Sequence, residues 1–105
     1  MALAEREREV ATLFPRGEGQ LADQFRRAAL SIPLNIAEGS GRFHPGDKKQ
    51  FYLIARGSCY ECIPILELCL RAETVDRPTV DTLRRELDIV AKMLTKLIQA
   101  TDAKK

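Results

Sequence analysis

The sequence predicts an all-α protein, an up-down antiparallel four-helix bundle whose first helix is short. Three observations predict it. Apolar residues recur at spacings of three and four in every segment, the period of a helix face, and no segment sustains the alternation of a strand. Proline and glycine gather at three places, Phe14–Gly19 (FPRGEG), Gly39–Asp47 (GSGRFHPGD) and Glu73–Pro78 (ETVDRP), which divide the chain into four segments. The chain has 105 residues, enough for one core and little more. A single domain is expected over residues 1–101, with 102–105 as a frayed tail.

The first segment, Ala2–Leu13, sets Leu3, Val10 and Leu13 on one face. At 1.5 Å per residue it makes only about 18 Å of helix, whereas the last two segments reach about 30 Å or more. One corner of the bundle is therefore expected to be underfilled. In the second segment, Leu21, Phe25, Ala28, Ile32 and Ile36 form an apolar stripe, and Pro33, flanked by Leu30 and Leu34, lies away from its centre. The third, from Pro45 to Ala72, offers Phe51, Ile54 or Ala55, Ser58, Cys62, Leu66 and Cys69 as its seam. Pro64 is expected to kink it rather than break it, because the apolar period continues past the proline. The fourth is clearest: Val80, Leu83, Leu87, Val90, Leu94 and Leu97 alternate steps of three and four. Pro78 and Thr79 suit its first turn, and Asp81 with Arg85 and Asp88 with Lys92 pair along its outer face.

Composition bounds the function. Hydrophobic residues are 45% and charged residues 30%, ordinary for a soluble domain. No apolar run approaches the roughly 20 residues of a membrane span. The start, MALAEREREV, lacks a signal-peptide apolar region, so a cytoplasmic protein is expected. A net charge of +2 is too small to argue for nucleic acid in one chain, but counts for more where an oligomer repeats it. Three cysteines, an odd number, read as free thiols.

Two constellations stand out. Beside the apolar stripe of the second segment runs a polar one, Gln24, Arg27, Ser31, Asn35 and Glu38, again at steps of three and four. Its structural reading is a partly buried network with Ser58 and Glu61 of the third segment, fixing register. Its functional reading is a cleft or pore in which Arg27, Asn35 and Glu38 bind a ligand. A catalytic Glu38 would need a nucleophile or metal beside it, and the sequence places none there. The second constellation is basic: Arg26, Arg42, Lys48, Lys49 and Arg56 read either as solvated surface or as a phosphate-contacting patch. Aromatics are only 6%, which argues against base stacking. Cys59 and Cys62 have CxxC spacing, but no second pair supplies the four ligands of a zinc site, and a redox CxxC belongs at a helix start. Their expected role is core packing. His44 is expected to be solvated or capping, and GSGR lacks the features of a phosphate loop. No metal and no cofactor are expected.

The stretch Leu21–Arg42 (LADQFRRAALSIPLNIAEGSGR), the preceding Phe14-Pro15 and Phe51–Glu61 (FYLIARGSCYE) carry a family resemblance. The chain resembles the four-helix-bundle proteins encoded in intervening sequences of 23S ribosomal RNA genes, which are similar in fold to the retroelement accessory variability protein. The resemblance implies an up-down four-helix bundle and a homopentamer shaped as a barrel or funnel. For the retroelement relatives it also implies binding of nucleic acid and of a reverse transcriptase. Here the first helix is shorter than the family's, Lys48 stands where an aromatic is usual, and His44 replaces a small hydroxyl cap. The functional expectation is a non-enzymatic, oligomeric, nucleic-acid-associated adaptor. The alternative is a protein-interaction scaffold that binds no nucleic acid.

Overall fold

The computed structural model describes residues 19–103, which form three helices and, among these residues, no strand. They are α1 (Gly19–Ser40), α2 (Pro45–Arg71) and α3 (Arg77–Ala103). The all-helical class is met. Three helices are described rather than the four expected, and the expected short helix over Ala2–Leu13 lies outside the described residues. α3 continues to Ala103, past the expected boundary at residue 101.

Local chemistry accounts for the ends. Pro45 opens α2 with a φ already suited to helix, after an extended His44 whose side chain makes no cap bond. Asp47 in the first turn and Arg71 in the last complement the helix dipole. After Arg71, Glu73 N–H bonds Leu70 O and Thr74 N–H bonds Cys69 O, at 3.0 and 3.1 Å. This closing pattern puts Glu73 at φ 59, where glycine is usual, at a cost of about 1 kcal/mol. α3 starts on a side-chain cap: Thr79 N–H donates to Asp76 Oδ1 at 2.9 Å. Hydrogen bonding from Thr79 holds the Asp76 carboxyl below its ordinary pKa. At the end of α1, Lys48 Nζ donates to Gly39 O and Ser40 O, both at 3.2 Å. That ammonium fills the role of a C-terminal cap.

α2 packs against both α1 and α3, whose backbones do not approach each other. The bonds between α2 and α3 read out an antiparallel register. Steps from Lys49 to Arg56 to Glu67 along α2 meet equal steps back from Asp102 to Thr95 to Arg84 along α3. All three helices share one core, in which Phe25, Ile32, Leu66, Leu83, Leu87 and Leu94 are fully buried. α1 and α2 run on through Pro33 and Pro64.

The seams shift slightly from expectation. α1 buries Ala22 and Ala29 beside Phe25, Ala28 and Ile32, with Leu21 and Ile36 packed at the edge. α2 buries Tyr52 and Cys59 in addition to Ala55, Ser58, Cys62, Leu66 and Cys69, while Ile54 is exposed. On α3 the buried stripe is Val80, Leu83, Leu87, Ala91, Leu94, Ile98 and Thr101, so Ala91 and Ile98 replace the expected Val90 and Leu97. A helix of 3.6 residues per turn requires two successive steps of four, here Leu83 to Leu87 to Ala91, where strict alternation drifts off the face.

Two helical glycines make opposite predictions. A Cβ on Gly39 would lie 2.7 and 2.9 Å from ring carbons of buried Tyr52, whereas one on Gly57 meets nothing within 4 Å. Helix propensity favours alanine at both by about 0.5–1 kcal/mol. Overpacking at residue 39 costs about 1–3 kcal/mol and prevails. In denaturant melts, Gly39→Ala is expected to destabilise the fold and Gly57→Ala to stabilise it.

Candidate functional site

α1 and α2 meet along an open cleft of about 230 Å³ lined by Gln24, Arg27, Ala28, Ser31, Ser58 and Glu61. On its floor the structure brings Ser31, Asn35 and Ser58 together. Asn35 Nδ2 donates to Ser31 O (2.7 Å) and to Ser31 Oγ (2.9 Å). The hydroxyls of Ser31 and Ser58 lie 2.8 Å apart. Ser58 is also 3.1 Å from Ile54 O, so its single proton serves one of the two acceptors and Ser31 can supply the other bond. This chain ties the two helices through groups half withdrawn from water. The remaining members of the stripe do not join it. Arg27 is exposed and forms no hydrogen bond or ion pair among the described residues. Glu38 pairs with Arg42 at 3.1 Å. Gln24 and Glu61 line the cleft as exposed side chains.

The five basic residues are spread along the fold, and each has a partner within the chain. Arg26 pairs with Asp23 at 2.9 Å. It stands on the first half of α1, antiparallel to α2 and so remote from Lys48 and Lys49. Arg42, besides Glu38, lies over the Phe51 ring, 4.8 Å from its centroid. Lys48 caps α1, Lys49 pairs with Asp102 at 2.9 Å, and Arg56 donates to Thr95 Oγ1 at 3.0 Å. Only Arg42, Lys48 and Lys49 share one end of the molecule.

That end holds a feature that sequence reasoning missed. Phe43 is 98% exposed at the turn between α1 and α2. Beside it a cavity of about 220 Å³ is bounded by Pro45, Lys48, Tyr52, Leu97, Ala100 and Thr101. The position of Phe43, inside a Gly/Pro-rich break, is the only signal the sequence offered.

The cysteines are packing groups. Cys59, Cys62 and Cys69 are buried and not joined in a disulfide. Burial pushes the Cys59 thiol up from 9.0 to about 11, with a backbone hydrogen bond opposing the shift. Among the described residues no group of three His, Cys, Asp or Glu side chains could hold a metal ion, and no helix is long and apolar enough to cross a membrane.

An antiparallel helical bundle with a half-buried polar tie and an aromatic tip defines the class as a small helical bundle protein. The sequence pattern described as 23S rRNA-intervening sequence protein matches residues 1–96, and the chain belongs to that family. In fold it is similar to a crystallised protein of unknown function from the S23 ribosomal protein family of Bacteroides thetaiotaomicron VPI-5482. The TM-score is 0.74 at 23% identity, covering 91% of this chain and 97% of that one. No curated protein matches the chain.

Two predictions follow from the geometry. Asn35→Ala removes the group that bridges to Ser31 and should cost about 1 kcal/mol in a thermal melt. Arg27→Ala should stay within about 0.5 kcal/mol of wild type, as surface changes do. The second concerns alkaline pH. The unfolded Cys59 ionises near 9.0 and the folded one near 11, so the folded state holds the proton longer. Its contribution to stability is complete below pH 9 and is lost as pH rises towards 11, by roughly 2 kcal/mol. Cys59→Ala lacks this titration, so the stability gap between the two proteins should narrow over that window in urea titrations.

Proposed function

We propose that the protein is a non-enzymatic helical adaptor that acts in the cytoplasm as an assembly of its own copies. The observation that carries this reading is the set of large apolar side chains on outer faces. Leu34 on α1 is 63% exposed, and Ile89 and Met93 on α3 are 58% and 59% exposed. Leu30 and Leu34 are one turn apart, as are Ile89 and Met93, so each pair forms a short apolar ridge pointing away from the core. Two separate ridges suit a head-to-tail contact, in which one face of a copy meets a different face of the next and the ring closes by rotation. A ring of five is the closure that the family resemblance implies.

A second reading adds RNA or DNA to that assembly, with a reverse transcriptase or other protein as a further partner. The family's description, which names a 23S rRNA intervening sequence, favours it. So does the grouping of Arg42, Lys48 and Lys49 at one end, which every copy would repeat. The pairing of Arg42 with Glu38 and of Lys49 with Asp102 weighs the other way, since each would have to exchange a partner for a phosphate.

Sedimentation velocity tests the first reading. Wild type is expected to sediment as an oligomer at micromolar concentration, and Leu34→Lys with Met93→Lys as a smaller species with an unchanged helical spectrum. A wild-type monomer would overturn it. A gel shift with RNA and duplex DNA tests the second. Affinity should fall steeply with salt, and Lys49→Glu should weaken it for every sequence and flatten the slope. Absence of any shift at low salt leaves the scaffold without nucleic acid.

A further inference from the structure

The turn between α1 and α2 is anchored where it leaves α1 and where α2 begins. Gly41 N–H reaches Ala37 O and Glu38 O, and Arg42 N–H reaches Gly39 O. The Arg42 guanidinium is fixed between Glu38 and the Phe51 ring, and Pro45 begins α2. Phe43 lies between these anchors and is 98% exposed, the most exposed large apolar side chain among the described residues. An aromatic ring kept in solvent on an ordered turn is preorganised for contact.

The cavity beside that ring has apolar walls, Pro45, Leu97 and Ala100, and three polar neighbours, Lys48, Tyr52 and Thr101. Lys48 has three N–H donors, and the carbonyls of Gly39 and Ser40 take two. Those acceptors are uncharged, and among the described residues Lys48 pairs with no carboxylate. The other cations of the patch described at this end are neutralised within the chain, Arg42 by Glu38 and Lys49 by Asp102. One positive charge with an unspent donor therefore remains on the cavity wall. The buried Tyr52 is similarly underused, its hydroxyl reaching only Ser40 Oγ at 3.4 Å.

We propose that this cavity binds an apolar monocarboxylate. The apolar group lies against Phe43, Pro45, Leu97 and Ala100, and the carboxylate accepts the third N–H of Lys48. At about 220 Å³ the space is smaller than the roughly 300–1,000 Å³ of drug-sized pockets, so it suits one ring or branched chain with its carboxylate. A single local charge selects a carboxylate over a polyphosphate backbone. Two sources share this chemistry, a free small acid and the C-terminus of a chain whose last residue is apolar. The inference is independent of the assembly reading, which uses other residues.

The test is a titration of the full chain followed by amide-resolved NMR, with 3-phenylpropanoate, its amide, and short peptides ending in Phe as free acid or as amide. Saturable shifts are expected at Phe43, Lys48, Ala100 and Thr101. Each acid should bind roughly tenfold or more tightly than its amide, because a charge-assisted hydrogen bond is lost in the amide. Lys48→Met should erase that difference. Because Lys48 also caps α1, Ala100→Phe is the second variant: it fills the cavity, leaves Lys48 in place and should abolish binding of both acids. Tighter binding of the free acid assigns a small molecule, and tighter binding of the peptide acid assigns a chain terminus. The proposal is overturned if no saturable shifts occur at these residues, if acid and amide bind equally, if Ala100→Phe binds as wild type does, or if an oligonucleotide displaces the acid.

Discussion

The structure depends on α2 serving two neighbours at once. A helix at the edge of a bundle buries one stripe, but α2 lies between α1 and α3 and must present a wider face. Small side chains answer that demand. Ala55, Ser58, Cys59 and Cys62 fill the middle of α2, where bulkier residues would push the flanking helices apart. They also give Cys59 and Cys62 a packing role. A buried thiol is a compact apolar filler, and the raised pKa of Cys59 keeps it protonated and unreactive. The polar residues of α2 divide between its neighbours. Ser58 reaches α1, while Lys49, Arg56 and Glu67 reach α3.

The same economy governs charge. Basic residues that read as a patch in sequence are drawn into separate local tasks. Lys48 covers the carbonyl end of α1, Arg42 fixes the turn, and Lys49 and Arg56 join α2 to α3. Surface ion pairs of this kind contribute little stability each. Their effect is on geometry: they hold the turn and the end of α3 in one arrangement, so that Phe43 and the cavity beside it are presented together. A cation already paired with a carboxylate, as Arg42 and Lys49 are, is a weaker candidate for a phosphate than its position in the sequence suggests.

What the sequence made legible was whatever repeats at the helical period. The three described helices and most of the core follow from spacing, and the breaks between them from clustered proline and glycine. Single-residue events do not repeat, and these escaped. Asp76 as the cap of α3 was hidden because Pro78 and Thr79 drew attention to the first turn instead. Glu73 closes α2 in a conformation that normally announces itself with glycine. The change from Val90 and Leu97 to Ala91 and Ile98 arises because a strict alternation of three and four is not the period of a straight helix. Phe43 was invisible because exposure of an aromatic inside a turn has no periodic signature.

The polar stripe of α1 shows why order along a helix is not the same as burial. Gln24, Arg27, Ser31, Asn35 and Glu38 share one side of α1, so their period shows that they face a common direction. It does not show how close the neighbouring helix comes at each level. Ser31 and Asn35, in the centre of the stripe, are half-buried and bonded. Gln24, Arg27 and Glu38, towards its ends, are exposed. Two packed cylinders approach most closely over a limited length, so one azimuth can be withdrawn from water at its middle and solvated at its extremes. The middle of the stripe therefore holds register, as small polar groups buried in pairs do. One end, Gln24 and Arg27, forms the rim of an open cleft. Structural and functional readings of this stripe are thus not alternatives for the whole set, since Ser31 and Asn35 are hydrogen-bonded while Arg27 and Glu61 stand exposed across the cleft from each other.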